Sequence, residues 1–402
     1  CRTLLGDVYD RAVRREFPYP PVAQLPRDRL VGERADQDVQ AIDHVARKVD
    51  QIEMAVVRRH EPPDDDACHG KVVQYRLCAE FGKEDDMRIG FDLGGTKMLA
   101  AVLDDDHRVV GRAKNRTERS GGTTVYEQIL TTIDEALDDA GIKRKDISAV
   151  GIAVPGLIDR ASGVIVNLTN IGMQDFPIAE RLGDDLGAPV TLENDVKAGL
   201  WGEHAMGAAR DFDHVIGIFP GTGIGGGLIL GGQLYRGTSG GAGEIGHITV
   251  QSDGRRCGCG NHGCLESVAS KTAIARDLAV LALNGSSPVL VEAGATDITR
   301  VKSGLIRKAL DAGDPGVVEV VEQAARFLGI GMASMVNTFN PQLIVLGGGL
   351  IEKLGSRITD IAEATMRKRA MPRLAADVEV RVAQLGDDAV LTGAADLAQA
   401  EW

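Results

Sequence analysis

Two segments of this chain repeat one local pattern, in which an apolar strand enters a glycine-rich turn and a second apolar strand leaves it. The first segment covers residues 88–103 and the second covers residues 215–230. Glycines clustered in such turns let the backbone come close to a ligand, and the chain contains 50 of them. A unit that occurs twice predicts a duplicated, two-lobed architecture with a ligand bound between the lobes.

From Met87 onward, segments with the period of a strand alternate with segments that have apolar residues at the three-to-four spacing of a helix. This mixture predicts an α/β protein, and a length of 402 residues favours two or three domains. The predicted strands are residues 88–92, 98–103, 149–154, 190–192, 215–220, 227–230 and 343–346, and the predicted helices are residues 125–140, 195–206, 266–283 and 317–337.

Residues 1–86 differ in composition from the rest of the chain. They contain six of the 14 prolines and an acidic run at residues 64–66, and only residues 39–59 show a helical period. Two interpretations are open: an additional folded module, or an N-terminal extension with no fold of its own. The composition favours the extension, so we expect the compact fold to begin at Met87.

The overall charge and hydropathy exclude several classes of protein. A formal net charge of -13 disfavours a nucleic-acid-binding protein, which needs a basic face. The sequence has no run of eighteen apolar residues, so no membrane span is predicted. It opens with no charged and then apolar leader, and we therefore expect a cytoplasmic protein with reduced cysteines.

The glycine turns are candidate phosphate-binding loops. In the first, glycine amides and a hydroxyl can bind phosphate oxygens while the aspartate holds a metal-bound water, although a plain hairpin turn with a solvated lysine is the alternative. The candidates here are Asp92, Gly94, Gly95, Thr96 and Lys97. The second loop supplies Gly221, Thr222 and Gly223.

Residues 221–226 match the G-x-G-x-x-G pattern of dinucleotide-binding proteins, but the residues that follow read as a strand instead of the required helix. We therefore reject a Rossmann site, and no P-loop pattern occurs in the chain. A third glycine patch, containing Gly348 and Gly349, follows the strand predicted at residues 343–346. It either passes under a nucleotide base or ribose, or forms a tight strand-to-helix turn.

Three cysteines and one histidine have the spacing His-x9-Cys-x-Cys-x4-Cys, in His247, Cys257, Cys259 and Cys264. Three thiolates and one imidazole fill a tetrahedral zinc shell, which is typical of a structural site. Three free core cysteines are the alternative, but the segment is polar and rich in turns. His262 is a rival fourth ligand, with less freedom to close the shell because it lies between Cys259 and Cys264.

Three carboxylates complete the candidate site. Asp195 lies where a predicted strand meets a predicted helix, so it is either a proton acceptor for a substrate hydroxyl or a helix cap. Glu244 and Glu266 flank the cysteine segment, and folding round a metal would bring both toward one cavity. Converging carboxylates suit a neutral polyol, whose hydroxyls need acceptors.

These motifs together resemble those of the ROK family of sugar kinases. They are DLGGTK at residues 92–97, END at 193–195, GTGIGG at 221–226, GEIGH at 243–247 and CGCGNHGCLE at 257–266, and they follow the family's order over residues 87–402. The resemblance implies an actin-like ATPase (ribonuclease H-like) fold with a cleft between two lobes. One lobe would be residues 87–208 joined by a C-terminal helix at 388–402, and the other residues 209–387 with the zinc segment.

The resemblance also implies ATP, Mg²⁺ and structural Zn²⁺ as cofactors, a homodimer or higher homo-oligomer, and ATP-dependent phosphorylation of glucose to glucose 6-phosphate. Asp195 would be the catalytic base, His247 would bind both sugar and zinc, and the remaining sugar ligands would be Asn170, Asn194, Glu244 and Glu266. Two positions depart from the family pattern: Met173 stands where an aromatic residue is common, and Lys197 replaces a frequent asparagine.

Those departures leave the sugar open among glucose, fructose, N-acetylmannosamine and N-acetylglucosamine. The same family includes sugar-sensing transcriptional repressors with a helix-turn-helix before the kinase-like body. Residues 1–86 occupy that place, but they show no helix pair with a short turn, and 14 basic residues are mixed with 18 acidic ones. The sequence therefore favours an enzyme that binds a sugar and ATP, without nucleic acid or membrane as a partner.

Overall fold

The computed structural model of the protein describes residues 86–119, 121–168 and 171–399. The predicted extension up to residue 85, including the helical segment at 39–59, lies outside these ranges, as do Asn170 and the last three residues of the chain. Among the helices that the structure describes, none is both long enough and apolar enough to cross a bilayer.

The described residues form an α/β structure, as predicted. Its strands, in chain order, are β1 (Met87–Leu93), β2 (Lys97–Leu103), β3 (Val109–Arg116), β4 (Ile147–Val154), β5 (Leu157–Asp159), β6 (Val164–Leu168), β7 (Met173–Phe176), β8 (Val190–Asn194), β9 (Val215–Pro220), β10 (Ile224–Leu230), β11 (Gln233–Leu234), β12 (Leu343–Leu346) and β13 (Glu379–Val382).

The helices connect the strands and cover the sheets. They are α1 (Gly122–Ala140), α2 (Ile178–Leu186), α3 (Asp195–Met206), α4 (Leu265–Ala269), α5 (Lys271–Leu283), α6 (Pro288–Glu292), α7 (Ser303–Asp311), α8 (Pro315–Phe339), α9 (Gly349–Leu354), α10 (Ser356–Arg369), α11 (Pro372–Asp377) and α12 (Asp388–Gln399). Two 3₁₀ helices lie at Arg144–Asp146 and Ile245–His247.

Two five-stranded sheets share one plan. Their strand orders are β3-β2-β1-β4-β8 and β11-β10-β9-β12-β13. In each sheet an antiparallel hairpin, β1–β2 or β9–β10, pairs in parallel with a later strand, β4 or β12. The repeated strand–turn–strand unit of the sequence is therefore confirmed, whereas its division into lobes at residue 208 stays a prediction. A third, three-stranded sheet has the order β5-β6-β7.

The helix predicted at residues 266–283 is interrupted at Ser270. The Ser270 hydroxyl oxygen accepts a hydrogen bond from the Ala273 amide and thereby caps the start of α5. The apolar period runs through this break because both α4 and α5 pack on one core cluster, to which Leu265 and Ile274 belong. A continuous apolar face thus hid the boundary between two helices.

Helix α12 lies directly on the backbone of the first sheet. Gly90 of β1 and Gly151 of β4 are paired across the two strands. A Cβ atom at Gly90 would lie 1.9 Å from the carbonyl oxygen of Leu391, and one at Gly151 would lie 1.8 Å from that of Ala394. Any side chain at these two positions would therefore push the helix off the sheet.

Helices α3 and α12 approach each other in the same way. A Cβ atom at Gly202 of α3 would lie 2.0 Å from the carbonyl oxygen of Ala389, and one at Gly393 of α12 would lie 1.8 Å from that of Ala198. Small residues allow this backbone contact, and it fixes the position of α3 relative to the sheet. The N-terminus of α3 carries the proposed base, so this packing positions the site.

A buried carboxylate reinforces the arrangement. Glu203 of α3 is fully buried, and its Oε1 atom accepts hydrogen bonds from the amides of Gln384 and Leu385, each at 2.8 Å. Its Oε2 atom accepts another from the Ala208 amide at 2.8 Å. Three charge-assisted bonds of this kind offset the cost of burying the charge and hold the segment before α12 in place.

The glycine contacts predict a large and local effect on stability. We expect Gly151→Ala to lower the free energy of unfolding by about 3 kcal/mol or more, because the added methyl group would overlap the Ala394 carbonyl oxygen. Gly304→Ala in helix α7, where a Cβ atom would meet nothing within 4 Å, should instead stabilise by up to about 1 kcal/mol. Urea denaturation measures both, and equal effects of the two substitutions would contradict the packing argument.

Candidate functional site

The junction between β8 and α3 places two polar side chains side by side. The Asn194 Oδ1 atom accepts hydrogen bonds from the amides of Val196 at 3.1 Å and Lys197 at 3.2 Å, so Asn194 is the helix cap. Asp195 is then the first residue of the helix, and its Oδ1 atom accepts from the Asn194 Nδ2 group at 3.0 Å. Asn194 therefore occupies the cap position, while the Asp195 Oδ1 atom also accepts a hydrogen bond from the Val196 amide at 2.9 Å and so shares in satisfying the start of the helix.

Asp92 and Asp195 line one cavity of about 370 Å³, together with Gly348, Glu352 and Gln384. Burial, followed by the negative charge of Asp195, raises the pKa of Asp92 to about 7, and the charge of Lys97 opposes this shift. Burial also raises the pKa of Asp195, against hydrogen bonds from the Val196 amide and the Asn194 side chain. The cavity therefore holds two carboxylates that a cation or a proton would stabilise.

The first glycine loop is anchored by the residues that follow β3. The Gly94 carbonyl accepts a hydrogen bond from the Thr117 hydroxyl at 2.7 Å, and the Thr96 carbonyl accepts one from the Thr117 amide at 3.1 Å. The Lys97 Nζ atom lies 2.6 Å from Asp387 Oδ2, with both side chains exposed by more than a third. Such an exposed pair is weak, which leaves Lys97 available for another anion.

The second glycine loop is a tight turn that leads into a strand, so the rejection of a Rossmann site is confirmed. The Gly221 amide donates to the Gly223 carbonyl at 2.8 Å, and β10 begins at the next residue. The start of α5 supports the loop, since the Lys271 amide donates to the Gly221 carbonyl at 2.9 Å and the Thr272 hydroxyl to the Thr222 carbonyl at 2.7 Å.

The third glycine patch is a strand-to-helix turn that also lines the cavity shared by the two aspartates. Gly348 has a φ of 83° and caps α9, which begins at Gly349. A Cβ atom at Gly348 would lie 2.9 Å from the Pro220 carbonyl oxygen. Both interpretations of this patch are therefore compatible: it makes the turn, and its backbone forms part of the cavity wall.

The cysteine segment gathers four potential metal ligands, as the spacing predicted. One ligand atom from each of His247, Cys257, Cys259 and Cys264 lies within 4.8 Å of the others. The two sulfur atoms of Cys259 and Cys264 are 3.7 Å apart, and Cys257 Sγ is 3.6 Å from His247 Nδ1. Tetrahedral zinc with bonds of about 2.3 Å to sulfur separates its ligands by roughly 3.8 Å, so the four atoms fit such an ion.

His247 and Glu266 connect this cluster to its surroundings. His247 directs Nδ1 toward Cys257, while its Nε2 atom lies 4.0 Å from Glu244 Oε2. Glu266 contacts Cys257 Sγ through Oε1 at 3.6 Å and accepts a hydrogen bond from the Ile224 amide through Oε2 at 2.9 Å. The cluster of His247 and the three cysteines is thus in contact with two carboxylates and, through Glu266 and Ile224, with the end of the second glycine loop.

A larger cavity, of about 620 Å³, includes Asn194 and Glu244 in its wall. Lys197, Arg236 and the carboxylate of Glu193 also line it. Glu266 lines neither this cavity nor the smaller one, so the two glutamates expected to converge on one cavity do not share either of them. Met173, the other departure from the family pattern, is buried in β7.

Several residues of the site carry no signal in the sequence. Gln384 and Gly386 follow β13 and line the smaller cavity, and the Gln384 amide is held by its hydrogen bond to Glu203 of α3. Arg236 reaches the larger one through the loop after β11. No motif marks either segment, since each is brought to the site by packing between elements that are distant in the chain.

Comparison with known proteins agrees with this architecture. The family model for the ROK family matches residues 88–401. The chain therefore belongs to the ROK family. A glucokinase from Halalkalibacterium halodurans is 35% identical over 312 residues, which cover 76% of this chain and 92% of that protein. The fold is accordingly the actin-like ATPase fold that the motifs implied.

Solved structures of other ROK proteins are similar to the structure of this chain. A ROK glucokinase from Streptomyces griseus, in complex with glucose and AMPPNP, is 33% identical with a TM-score of 0.64, covering 78% of this chain and 99% of that one. A ROK transcriptional regulator, a homologue of the Escherichia coli MLC protein, is 28% identical with a TM-score of 0.69 and covers 78% of each chain. Membership of the ROK family therefore includes both enzymes and regulators.

The raised pKa of Asp92 predicts a pH-dependent stability. The pKa of Asp92 is about 7 in the folded protein and near 3.8 in the unfolded chain. A carboxyl with a raised pKa contributes its full stability at pH values below 3.8, and this contribution is lost as the pH rises through 7. In metal-free buffer we therefore expect Asp92→Asn to be more stable than the wild type by roughly 2–4 kcal/mol at pH 8 and equally stable at pH 4. Urea denaturation at both pH values gives the difference.

The control for this prediction is Asp377→Asn, at the exposed end of α11. It should change the free energy of unfolding by the same small amount at both pH values. A difference between wild type and Asp92→Asn that does not grow with pH would contradict a buried, destabilised carboxylate.

Proposed function

We propose that this protein is an ATP-dependent hexose kinase that converts glucose to glucose 6-phosphate. The observation that carries the proposal is the position of Asp195, which lies at the start of α3, lines one cavity with Asp92 and accepts a hydrogen bond from the Asn194 side chain. The glucokinase of Halalkalibacterium halodurans and the glucose complex from Streptomyces griseus support the same substrate.

In the proposed reaction Asp195 accepts the proton of the sugar 6-hydroxyl as its oxygen attacks the γ-phosphorus of ATP. A bond from that oxygen to phosphorus forms, the bond from phosphorus to the β–γ bridging oxygen breaks, and ADP leaves. Burial raises the pKa of Asp195, which makes it a stronger base than an exposed carboxylate. The hydrogen bond from Asn194 Nδ2 keeps the carboxylate oriented.

The phosphates of ATP fit the glycine loops, whose small residues let backbone amides approach the oxygens. We assign this role to Gly94, Gly95, Thr96 and Lys97 in the first loop, Gly221, Thr222 and Gly223 in the second, and Gly348 and Gly349 beside the nucleoside. Asp92 offers carboxylate oxygens, the ligands that Mg²⁺ prefers, directly or through water. Mg²⁺ bound there would neutralise charge on the phosphates.

We assign the sugar to the larger cavity, which Asn194 and Glu244 line. Asn194, Glu244, His247 and Glu266 present carbonyl, carboxylate and imidazole atoms that accept hydrogen bonds from ring hydroxyls. Asn170, the remaining proposed ligand, lies outside the described residues. A buried acceptor that is left without a hydroxyl partner makes the binding free energy of the sugar less favourable. The site should therefore discriminate against sugars that lack one of the hydroxyl groups.

Zn²⁺ fits the cluster of His247, Cys257, Cys259 and Cys264, and a shell of four protein ligands makes it structural. Such an ion would hold His247 and Glu266 in place, because both contact Cys257. We further propose a cytoplasmic protein, active as a homodimer or higher homo-oligomer, whose partners are a sugar and ATP.

A second candidate is a sugar-sensing regulator without kinase activity. The observation that favours it is the similarity to the ROK transcriptional regulator, which has a TM-score of 0.69. Such a protein would bind sugar without turning over ATP and would bind DNA. The acidic charge of the chain and the intact END motif at residues 193–195 favour the enzyme.

A coupled assay that measures ADP release from ATP with glucose, fructose, N-acetylmannosamine and N-acetylglucosamine tests the function. We expect glucose to have the highest kcat/KM, and we expect Asp195→Asn to lose about two to four orders of magnitude in kcat. Circular dichroism and thermal melting should show that the variant remains folded.

The outcomes separate the candidates. A higher kcat/KM for another hexose would change the substrate but not the reaction. Kinase activity of Asp195→Asn within tenfold of the wild type would rule out Asp195 as the base. Sugar binding without ADP release, together with DNA binding in an electrophoretic mobility assay, would favour the regulator.

Removing one of the four proposed zinc ligands tests whether the cluster binds the metal and supports the sugar site. We expect Cys259→Ser to reduce bound zinc below one ion per chain and to lower both the melting temperature and the affinity for glucose, because His247 loses its support. His262→Ala is the matched control, since His262 is exposed and outside the cluster. Elemental analysis that finds no zinc in fully active wild-type protein would refute the site.

A further inference from the structure

The loop that connects β11 to the 3₁₀ helix at Ile245–His247 has four glycines among its ten residues. Gly237, Gly240 and Gly243 have positive φ values of 69°, 78° and 89°, and Gly241 lies between them. The loop closes on itself through one hydrogen bond, from the Ala242 amide to the Arg236 carbonyl at 3.0 Å. Ordering a glycine-rich segment costs more conformational entropy than ordering other residues, so its position depends on contacts with other elements.

Two side chains from the β8–α3 junction provide such contacts. Glu193 accepts a hydrogen bond through Oε2 from Arg236 Nε at 2.6 Å, at the start of the loop. Lys197 donates from Nζ to the Gly240 carbonyl, near its end. Both side chains belong to elements of the first sheet and its helix, whereas the loop follows a strand of the second sheet.

Both residues are buried next to the proposed base. Lys197 is 4% exposed and Glu193 is 5% exposed, and they flank the pair Asn194 and Asp195. Burial lowers the pKa of Lys197, and the carboxylates of Glu193 and Glu244 oppose this shift. A buried ammonium group needs hydrogen-bond acceptors, and the Gly240 carbonyl is one of them. A charged donor binds such a carbonyl more strongly than a neutral donor does.

The loop ends at Glu244, whose own side chain is 66% exposed. Glu244 is followed within three residues by His247, and the two side chains approach to 4.0 Å. The contacts at Arg236 and Gly240 therefore act on the segment that delivers two proposed sugar ligands. The side chains that make these contacts, Glu193 and Lys197, lie on either side of the proposed base in the chain. The position of the base is therefore coupled to the positions of the two proposed sugar ligands.

We propose that Glu193 and Lys197 are positioning residues for the sugar: they hold the loop at residues 236–243 so that Glu244 and His247 face the substrate beside Asp195. This inference rests on the proposed kinase function. It assigns a purpose to Lys197, one of the two departures from the family pattern, because a shorter asparagine would end before the Gly240 carbonyl.

The test compares the two substrates of the reaction. We expect Lys197→Met and Glu193→Gln each to raise the KM for glucose roughly ten- to a hundredfold, because displaced ligands bind the sugar poorly, and to change the KM for ATP by less than about twofold. Lys197→Arg, which keeps a charged donor of similar length, should restore most of the affinity for glucose. Lys368→Met on the exposed face of α10 is the matched control and should change neither constant.

A second measurement does not depend on activity. Trypsin cleaves after arginine, so limited digestion followed by mass spectrometry reports how firmly Arg236 is held. We expect faster cleavage after Arg236 in Glu193→Gln and Lys197→Met than in the wild type, with unchanged cleavage after Arg326 of α8. In the double variant Glu193→Gln/Arg236→Gln the effects on the glucose KM should be less than additive.

Equal increases in the KM values for glucose and ATP would indicate general loosening and would overturn the inference. Unchanged glucose KM and unchanged cleavage after Arg236 would overturn it as well. If the wild type phosphorylates no hexose, the proposed function fails, and cleavage after Arg236 alone then decides whether Glu193 and Lys197 hold the loop.

Discussion

The contact on which the rest of this structure depends is the direct packing of helix α12 against the backbone of the first sheet and of helix α3. It is possible only because Gly90, Gly151, Gly202 and Gly393 have no side chains at the points of closest approach. The helix consequently sits closer to the sheet than ordinary side chains allow, and α3 is fixed through it. The start of α3 then brings Asp195 into the cavity that Asp92 also lines.

That placement has an electrostatic cost. Two carboxylates share a partly buried cavity, and Lys97, whose charge opposes the resulting pKa shift, forms only an exposed ion pair with Asp387. Burial and mutual repulsion raise the pKa of Asp92 to about 7, so the metal-free protein is less stable when this group is ionised. A site for a polyphosphate with a bound divalent cation has this character, because the cation supplies the missing positive charge beside the carboxylates.

The cysteine segment plays a corresponding part on the side that we assign to the sugar. Its cluster is too polar to be a hydrophobic core, but four ligands around one ion would fix a turn-rich segment as firmly as a core does. His247 and Glu266 lie between this cluster and the rest of the site. On our proposal, metal binding, loop position and sugar affinity are therefore coupled, although none of these groups takes part in proton transfer.

The sequence by itself determined the local features: the α/β class, the two glycine hairpins, the gathering of His247 with three cysteines, and the strand-to-helix junction at Asp195. Each depends on residues close together in the chain, where periodicity and motif spacing carry the information. The break between α4 and α5 at Ser270 could not be predicted from the sequence, because one continuous apolar face spans both helices.

Only the tertiary structure decided which distant segments meet. The glycines at positions 90, 151, 202 and 393 have meaning only as pairs across elements, and Gln384, Arg236 and Gly240 reach the site through packing that no local pattern encodes. The roles of Asn194 as cap and of Glu203 as acceptor likewise follow from where backbone amides point after folding. A sequence fixes which groups are available, whereas close packing and the need to satisfy buried polar atoms determine which of them face one another.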